Sequence, residues 1–296
     1  MHKNNKHSKD YNFKVLLRDT PQLADYVFEN TYGKDTIDFA NPKAVKCLNS
    51  ALLKTHYGIN YWEFPDENLC PPIPGRVEYI HVLNDLLQTS GLKKDITVLD
   101  IGTGASCIYP LLGYSAYKWN FIASEVDKLA FENAQQIINK NNLNNHIELR
   151  FQNNSQHILQ GILNSQETIT ATLCNPPFYR SEAEANESTE RKLKGLGKST
   201  NGLKRNFSGT ANELWYPGGE KAFLHNYLYQ SSLLKTNCFW YTSLVSKKEL
   251  VKSMQSSLKK LGATKFTTLH MSLGNKISRV VAWTFLSEKE QNDWKS

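Results

Sequence analysis

The chain has 296 residues, of which 40% are hydrophobic and 11% aromatic, enough to bury a sizeable core. Its formal net charge is +7 with a pI near 9.0, which hints at a polyanionic partner and excludes little by itself. Five scattered cysteines without a C-x-x-C pair argue against a disulfide framework or zinc site, so no metal is expected. No apolar run is long enough to span a bilayer, and no hydrophobic signal core follows the basic start, so a cytoplasmic, membrane-free protein is expected.

Residues 1–14 are crowded with lysine and histidine and are expected to form a basic arm, poorly ordered unless bound. Two helices are expected between Phe13 and about Leu53. The first carries Val15, Leu16, Leu23 and Val27 and is interrupted at Thr20-Pro21. The second opens at Asn41-Pro42, an N-cap followed by proline at the first helical position. The segment from Tyr61 to Pro74 is too rich in tryptophan, phenylalanine and proline for one regular element. Its end, Leu69 to Arg76, reads as rigid and extended, delivering Arg76 to a helix that runs from Val77 to about Gln88. His81 in that helix is expected to be a packed residue rather than a ligand.

After Gly91 strands and helices alternate. Strands are expected at Ile96–Asp100, Asn120–Glu125, His146–Phe151 and up to Asn175, with a helix from Lys128 to about Asn141 and a short one near 158–163. This rhythm implies a parallel, doubly wound sheet. From Tyr179 to about Gly218 the chain is polar, charged and rich in glycine and serine, a length more typical of a lid or binding loop than of a simple connection. A helix near Gly218-Gly219-Glu220, a strand at Cys238–Val245 and a helix from Lys247 to Leu261 follow. Two final strands, Lys265–Met271 and Arg279–Leu286, flank the turn Gly274-Asn275 and must be antiparallel. The expected fold class is therefore α/β. Its seven-stranded, mostly parallel sheet ends in an antiparallel C-terminal hairpin, the Rossmann-like layout of class I methyltransferases. Residues 1–90 would form the basic arm and a helical N-terminal extension. Residues 91–296 would form the methyltransferase domain, with its long loop at about 179–217.

Two places carry chemistry. Asp100-Ile101-Gly102-Thr103-Gly104-Ala105-Ser106 lies between a strand and a helix, where glycines let a ligand approach the backbone and a helix N-terminus favours electron-rich groups. The dinucleotide fingerprint fails because its third glycine is Cys107. The loop is closer to the acidic-x-G-x-G pattern that binds S-adenosylmethionine, with Ser106 at the third small position. Glu125 ends the next strand, where a carboxylate can accept hydrogen bonds from both ribose hydroxyls. Asp127 fits a helix N-cap better. The second place is Asn175-Pro176-Pro177-Phe178. The prolines stop the strand in a stiff turn, the two carbonyls of Asn175 and Pro176 can hold an amine, and Phe178 can stack on a planar ring. The partial matches to a nucleophile elbow at Gly104-Ala105-Ser106 and to a phosphate loop at Gly197-Lys198-Ser199 lack required glycines.

The chain resembles the bacterial 23S rRNA adenine-N6 methyltransferase family known as RlmF, and the related enzyme that modifies small nuclear RNA. The resemblance spans nearly the whole length. It rests on Asp38 to Pro42, Cys70 to Arg76, Asp100 to Gly113, Ser124 to Asp127 and Asn175 to Phe178, and continues through Gly218 to Glu220, Trp240 to Lys248 and Ala282 to Phe285. It implies N6-methylation of an adenine in 23S rRNA or a large-subunit assembly intermediate, by a monomer using S-adenosylmethionine. Arg76, Asp100, Gly102, Gly104, Ser106, Glu125, Ser155 and Asn175 would serve the cofactor, and Asn175, Pro176, Pro177 and Phe178 catalysis. Lys3, Lys6 and Lys9 of the arm, with Arg180, Arg191, Lys192, Lys204 and Arg205, would contact RNA. Two other readings stay open: methylation of a protein glutamine, whose amide is also a planar NH₂, and a non-catalytic RNA-binding module.

Overall fold

The computed structural model describes residues 1–181, 183, 184, 187, 214–273 and 276–294. Its central sheet has seven strands in the order β5-β4-β3-β6-β7-β9-β8. These are β3 (Thr97–Ile101), β4 (Asn120–Glu125), β5 (Ile147–Phe151), β6 (Ile169–Cys174), β7 (Cys238–Val245), β8 (Lys265–Leu273) and β9 (Lys276–Thr284). The first five pair in parallel, whereas β9 runs antiparallel to both β7 and β8. All six residues of β6 are buried, as a central strand covered on both faces requires. The connections run outward in opposite directions from β3 and β6, so a crevice opens at their carboxyl ends. The expected fold class is the one observed. The turn at Gly274-Asn275 lies outside the described residues.

Helices cover both faces. On one side lie α3 (Ile73–Thr89), α4 (Ile108–Tyr117) and α5 (Lys128–Lys140), packed through Tyr79, Leu83, Leu111 and Ile137. On the other lie α6 (Gly219–Leu233) and α7 (Lys248–Leu261), packed through Leu224, Tyr227 and Met254. Gly262, in the left-handed region, stops α7 as expected. The chain closes with α8 (Glu288–Asp293), opened by a Ser287–Glu290 capping box. Among the described residues no helix is long and apolar enough to cross a membrane.

Four departures from expectation stand out, three of them in the N-terminal part. First, α1 (Phe13–Asp19) and a short 3-10 helix (Pro21–Asp25) end before Val27, which instead sits in a hairpin strand. That strand, β1 (Val27–Glu29), pairs with β2 (Asp35–Ile37), and the hairpin packs with α1 against α2 (Pro42–Tyr57). Second, α3 begins four residues early. Ile73 and Pro74 occupy its first turn, where proline costs no hydrogen bond, so Arg76 is already helical. Third, no helix forms at 158–163. The amides of Ile158, Leu159 and Gln160 all donate to the side-chain oxygen of Gln230, at 2.8, 2.9 and 3.2 Å. Their alternative partner lies 70 residues away on α6, and Gly161 adopts a φ of 80°.

The fourth departure is the arm, which is docked. Asn5 and His7 are buried. The Asn5 amide donates to a carboxylate oxygen of the buried Glu78 at 2.7 Å and to the Pro74 carbonyl at 3.1 Å, while the His2 backbone amide takes the other Glu78 oxygen at 2.7 Å. The His2 ring stacks on His81, 5.0 Å between centroids, and His7 hydrogen-bonds the Tyr57 hydroxyl. Composition reads such a segment as a solvated tail, because its polar side chains find partners only through long-range contacts. His81 is indeed packed, bonded to the Tyr117 hydroxyl at 2.7 Å.

This seam titrates. Burial, with His56, Lys6 and His81 nearby, lowers His7 from 6.5 to about 4. Burial, His2 and Lys6, opposed by Asp85, lower His81 to about 4. Between pH 6.5 and 4 an undocked arm takes up protons that the docked one refuses, so docking is stable above that window and weakens as pH falls through it. Hydrogen exchange of the residue 2–8 amides, corrected for intrinsic rate, is expected to show protection at pH 7.5 and its loss near pH 5. Equal protection at both would contradict it.

Candidate active site

The crevice is built from the carboxyl ends of β3, β4 and β6. Beyond β3 the chain turns through Gly102 and Gly104, with φ of 69° and 67°. Cys107, which stands where a dinucleotide fingerprint would have its third glycine, takes a φ of 49° despite its side chain. The loop is tied down from every side. The Thr103 amide donates to the Ser124 carbonyl at 2.9 Å, the Trp62 indole to the Ser106 carbonyl at 2.8 Å, and the Asn133 amide to the Ala105 carbonyl at 2.9 Å. A side chain at Gly102 would meet nothing within 4 Å, because its Cβ would project into open space at the cavity wall.

Glu125 ends β4 and is buried. One carboxylate oxygen accepts from the Gly104 amide at 2.8 Å, the other from the amides of Val126 and Asp127 at 2.8 and 2.9 Å. Its orientation is thus fixed by backbone, and it also braces the glycine loop. Asp127 caps α5, accepting from the Ala130 amide at 2.9 Å. Asp100 lies beneath the loop, 1% exposed, and neither carboxylate oxygen has a hydrogen-bond partner among the described residues. Burial pushes it up to about 7; the nearby Thr103 hydroxyl, short of a well-formed hydrogen bond, and Arg76 favour its charged form, and Glu125 disfavours it.

These elements enclose a cavity of about 230 Å³. Arg76, Gly102, Gly104, Ser106, Glu125, Ser155, Asn175 and Pro177 line it, so the structure brings together residues separated by a hundred positions. Asp100 does not line it; Pro176 is buried, and Phe178 stands outside the lining, 44% exposed. One guanidinium nitrogen of Arg76 donates to the Tyr109 hydroxyl at 2.9 Å, while its buried Nε has no partner and no carboxylate pairs with it among the described residues. A half-buried guanidinium on the cavity wall, an open glycine cradle and an oriented carboxylate fit, in order, a carboxylate, a close-packed ligand backbone and a pair of hydroxyls.

A family model described as RNA methyltransferase matches residues 1–287. The chain belongs to that family. It is 46% identical to the ribosomal RNA large subunit methyltransferase F of Colwellia psychrerythraea, covering 96% of this chain and 99% of the relative. The protein of the same name from Shewanella loihica is 44% identical over 99% of this chain and 81% of its own length. Among solved structures, the human METTL16 catalytic domain in complex with the MAT2A 3'UTR hairpin 1 superposes with a TM-score of 0.81. It is 29% identical over 97% of this chain and 96% of that one. The N-terminal domain of human METTL16 in complex with SAH gives 0.77 at 28% identity, over 97% and 99%.

Sequence reasoning for this RNA methyltransferase missed a second wall of the cavity. Trp215, Tyr216, Pro217 and Phe223 line it from the far side of the long connection, with Gln152, His157 and Ile158 beside Ser155. The amides of Phe178 and Tyr179 both donate to the Leu214 carbonyl, at 3.1 and 3.0 Å, and the Tyr216 amide returns to Tyr179 at 3.0 Å. The Asn-Pro-Pro-Phe turn is thereby laced to residues 214–216. The Asn226 amide reaches both the Tyr216 hydroxyl and the Gln156 carbonyl, at 3.0 and 2.8 Å, so α6 holds both flanks. Glu220, at the start of α6, accepts from the Ser246 amide at 2.7 Å and from its hydroxyl, fixing α6 to the end of β7. The available local signal was Gly218-Gly219: a Cβ at Gly219 would come 2.8 Å from the Arg180 side chain.

Of the candidate RNA contacts, Lys3, Lys6, Lys9 and Arg180 are exposed, Lys6 donating to the His56 carbonyl at 2.6 Å. Arg191, Lys192, Lys204 and Arg205, with most of the connection at 179–217, lie outside the described residues.

Proposed function

We propose that this chain methylates the N6 of one adenine in large-subunit (23S) rRNA, free or in an assembly intermediate, and that it does so as a monomer. The observation that carries the reading is Asn175, on the wall of the cavity that also holds Glu125 and the glycine loop, in a chain whose relatives are named for large-subunit rRNA methylation. The methyl donor is S-adenosylmethionine, and when bound it supplies an electrophilic methyl on sulfur. Arg76 would clamp its carboxylate, Gly102, Gly104 and Ser106 would line its middle, and Glu125 would accept its ribose hydroxyls, with Ser155 at the rim.

The chemistry left to the protein is positioning. An aromatic amine is a poor nucleophile because its lone pair is delocalised into the ring. The Asn175 side-chain carbonyl and the Pro176 carbonyl accept its two hydrogens and favour a tetrahedral nitrogen whose lone pair faces the cofactor site. Fixing that geometry ahead of the reaction supplies most of the acceleration. The nitrogen becomes acidic on methylation, so loss of a proton to water completes the step without a dedicated base. Phe178, exposed at the rim, is a stacking face for the unstacked base. Lys3, Lys6, Lys9, Arg180, Arg191, Lys192, Lys204 and Arg205 would hold the phosphates.

The test is purified protein with labelled S-adenosylmethionine and rRNA or precursor particles lacking the mark. The expected result is N6-methyladenosine in the RNA. Label in protein glutamine, or cofactor binding with no transfer to any RNA form, would overturn the reading.

A further inference from the structure

The turn that presents Arg76 is weakly secured by its own sequence. α3 opens Ile73-Pro74-Gly75-Arg76, and Pro72 at its N-cap makes no side-chain hydrogen bond to the first amides. Glycine is a poor helix former, and the bond from the Arg76 amide back to the Pro72 carbonyl is long, at 3.3 Å. Such a helix end frays unless something outside it holds it. The N-terminal arm does so. The side-chain amide of the buried Asn5 donates to the Pro74 carbonyl at 3.1 Å and to one Glu78 carboxylate oxygen at 2.7 Å. The His2 backbone amide takes the other Glu78 oxygen, while the His2 ring stacks on His81 and meets the Asp85 carboxylate at 2.9 Å. Pro74, Glu78, His81 and Asp85 follow helical spacing, so the arm covers one stripe of α3 from its first turn onward. Arg76 stands two residues from both Pro74 and Glu78, off that stripe, and lines the cavity. One helix therefore carries the arm on one side and the cavity's guanidinium on another.

We propose that Asn5 and Glu78 are positioning residues of the cofactor site: they dock the arm on the first turns of α3 and so hold Arg76 where it meets the carboxylate of S-adenosylmethionine. This rests on the role given to Arg76 above. A reciprocal effect follows. If docking of the arm tightens cofactor binding by some factor, cofactor binding tightens docking by the same factor. The coupling acts at the amino-acid end of the cofactor. The nucleoside end is held separately, because Glu125 is fixed by the amides of Gly104, Val126 and Asp127, and the glycine loop by Ser124, Trp62 and Asn133.

The test titrates two ligands calorimetrically into wild type, Asn5→Asp and Arg76→Ala. One is S-adenosylmethionine; the other is 5′-methylthioadenosine, which keeps the nucleoside and the sulfur but lacks the amino-acid tail. Asn5→Asp preserves the side chain's shape, removes the donor and sets a carboxylate against Glu78, so hydrogen exchange should show the residue 2–8 amides released, with the fold intact by thermal melting. The variant is expected to bind S-adenosylmethionine about fivefold more weakly and methylthioadenosine less than about twofold more weakly. Asn5→Asp combined with Glu78→Gln, in which donor and acceptor change places, should recover part of the loss. In wild type, saturating S-adenosylhomocysteine should slow exchange of the arm amides by about the same fivefold, and methylthioadenosine should leave it unchanged. An arm that stays docked in Asn5→Asp, unchanged S-adenosylmethionine affinity, equal weakening of both ligands, or arm exchange indifferent to S-adenosylhomocysteine would overturn the proposal. Normal S-adenosylmethionine affinity in Arg76→Ala would instead refute the parent reading, and this inference with it.

Discussion

Asn175→Ala is expected to abolish methyl transfer, lowering kcat by about 10²–10³-fold or more, the range found when one preorganised partner of a reacting group is removed. Two features make the effect specific. Asn175 follows the last residue of β6, a strand buried along its whole length, and precedes two prolines that fix the backbone. The neighbouring turn is laced to Leu214 and Tyr216. The substitution therefore removes a side-chain carbonyl from a rigid frame, and the frame stays. S-adenosylmethionine Kd, measured by isothermal titration, should move only a few-fold, and the melting temperature little. Loss of cofactor binding would contradict the division of labour between this turn and the glycine loop. Asn175→Asp is expected to fail as well, because a carboxylate keeps the acceptor but lacks the amide donor that can fix it in place.

Arg76→Ala is expected to act in the opposite sense, on binding. The guanidinium lies in the first turn of α3 on the cavity wall, oriented by the Tyr109 hydroxyl at 2.9 Å. A carboxylate arriving there gains charge-assisted hydrogen bonds, each stronger than a neutral one. Its removal should weaken S-adenosylmethionine about 10–100-fold, with kcat at saturating cofactor recovering most of its value. Arg76→Lys should rescue only in part, since a point charge cannot reproduce the planar fork. A variant with normal cofactor affinity would remove Arg76 from the site. Because Glu78, two residues on, carries the docked arm, arm protection in the variant should be measured alongside, to separate a lost contact from a loosened helix.

The contrast between these residues and Trp215 shows what the sequence could carry. Glycines that must adopt positive φ, an acid at a strand end and two prolines after an apolar run each state a local backbone requirement, and local requirements are visible in local sequence. The same holds for the alternating strands and for the Asn41-Pro42 helix start, which the structure reproduces. Trp215 entered the site through hydrogen bonds to residues 36 positions earlier, Gln230 replaced an expected helix by accepting three amides from 70 positions away, and Asn5 docked an expected tail by reaching Glu78. None of these pairings leaves a period or a spacing behind. Val27 is the reverse case: it fitted a helical period, and a three-residue hairpin strand claimed it instead.

Both substitutions bear on how the site works; whether it works on rRNA is decided in the cell. N6-methyladenosine should be mapped across 23S rRNA from cells lacking this gene and from the same cells complemented with wild type or with Asn175→Ala. One adenine is expected to lose its mark in the deletion, regain it with wild type and remain unmodified with the alanine variant. An unchanged map in the deletion, or full restoration by Asn175→Ala, would contradict the assignment of this cavity to rRNA adenine methylation.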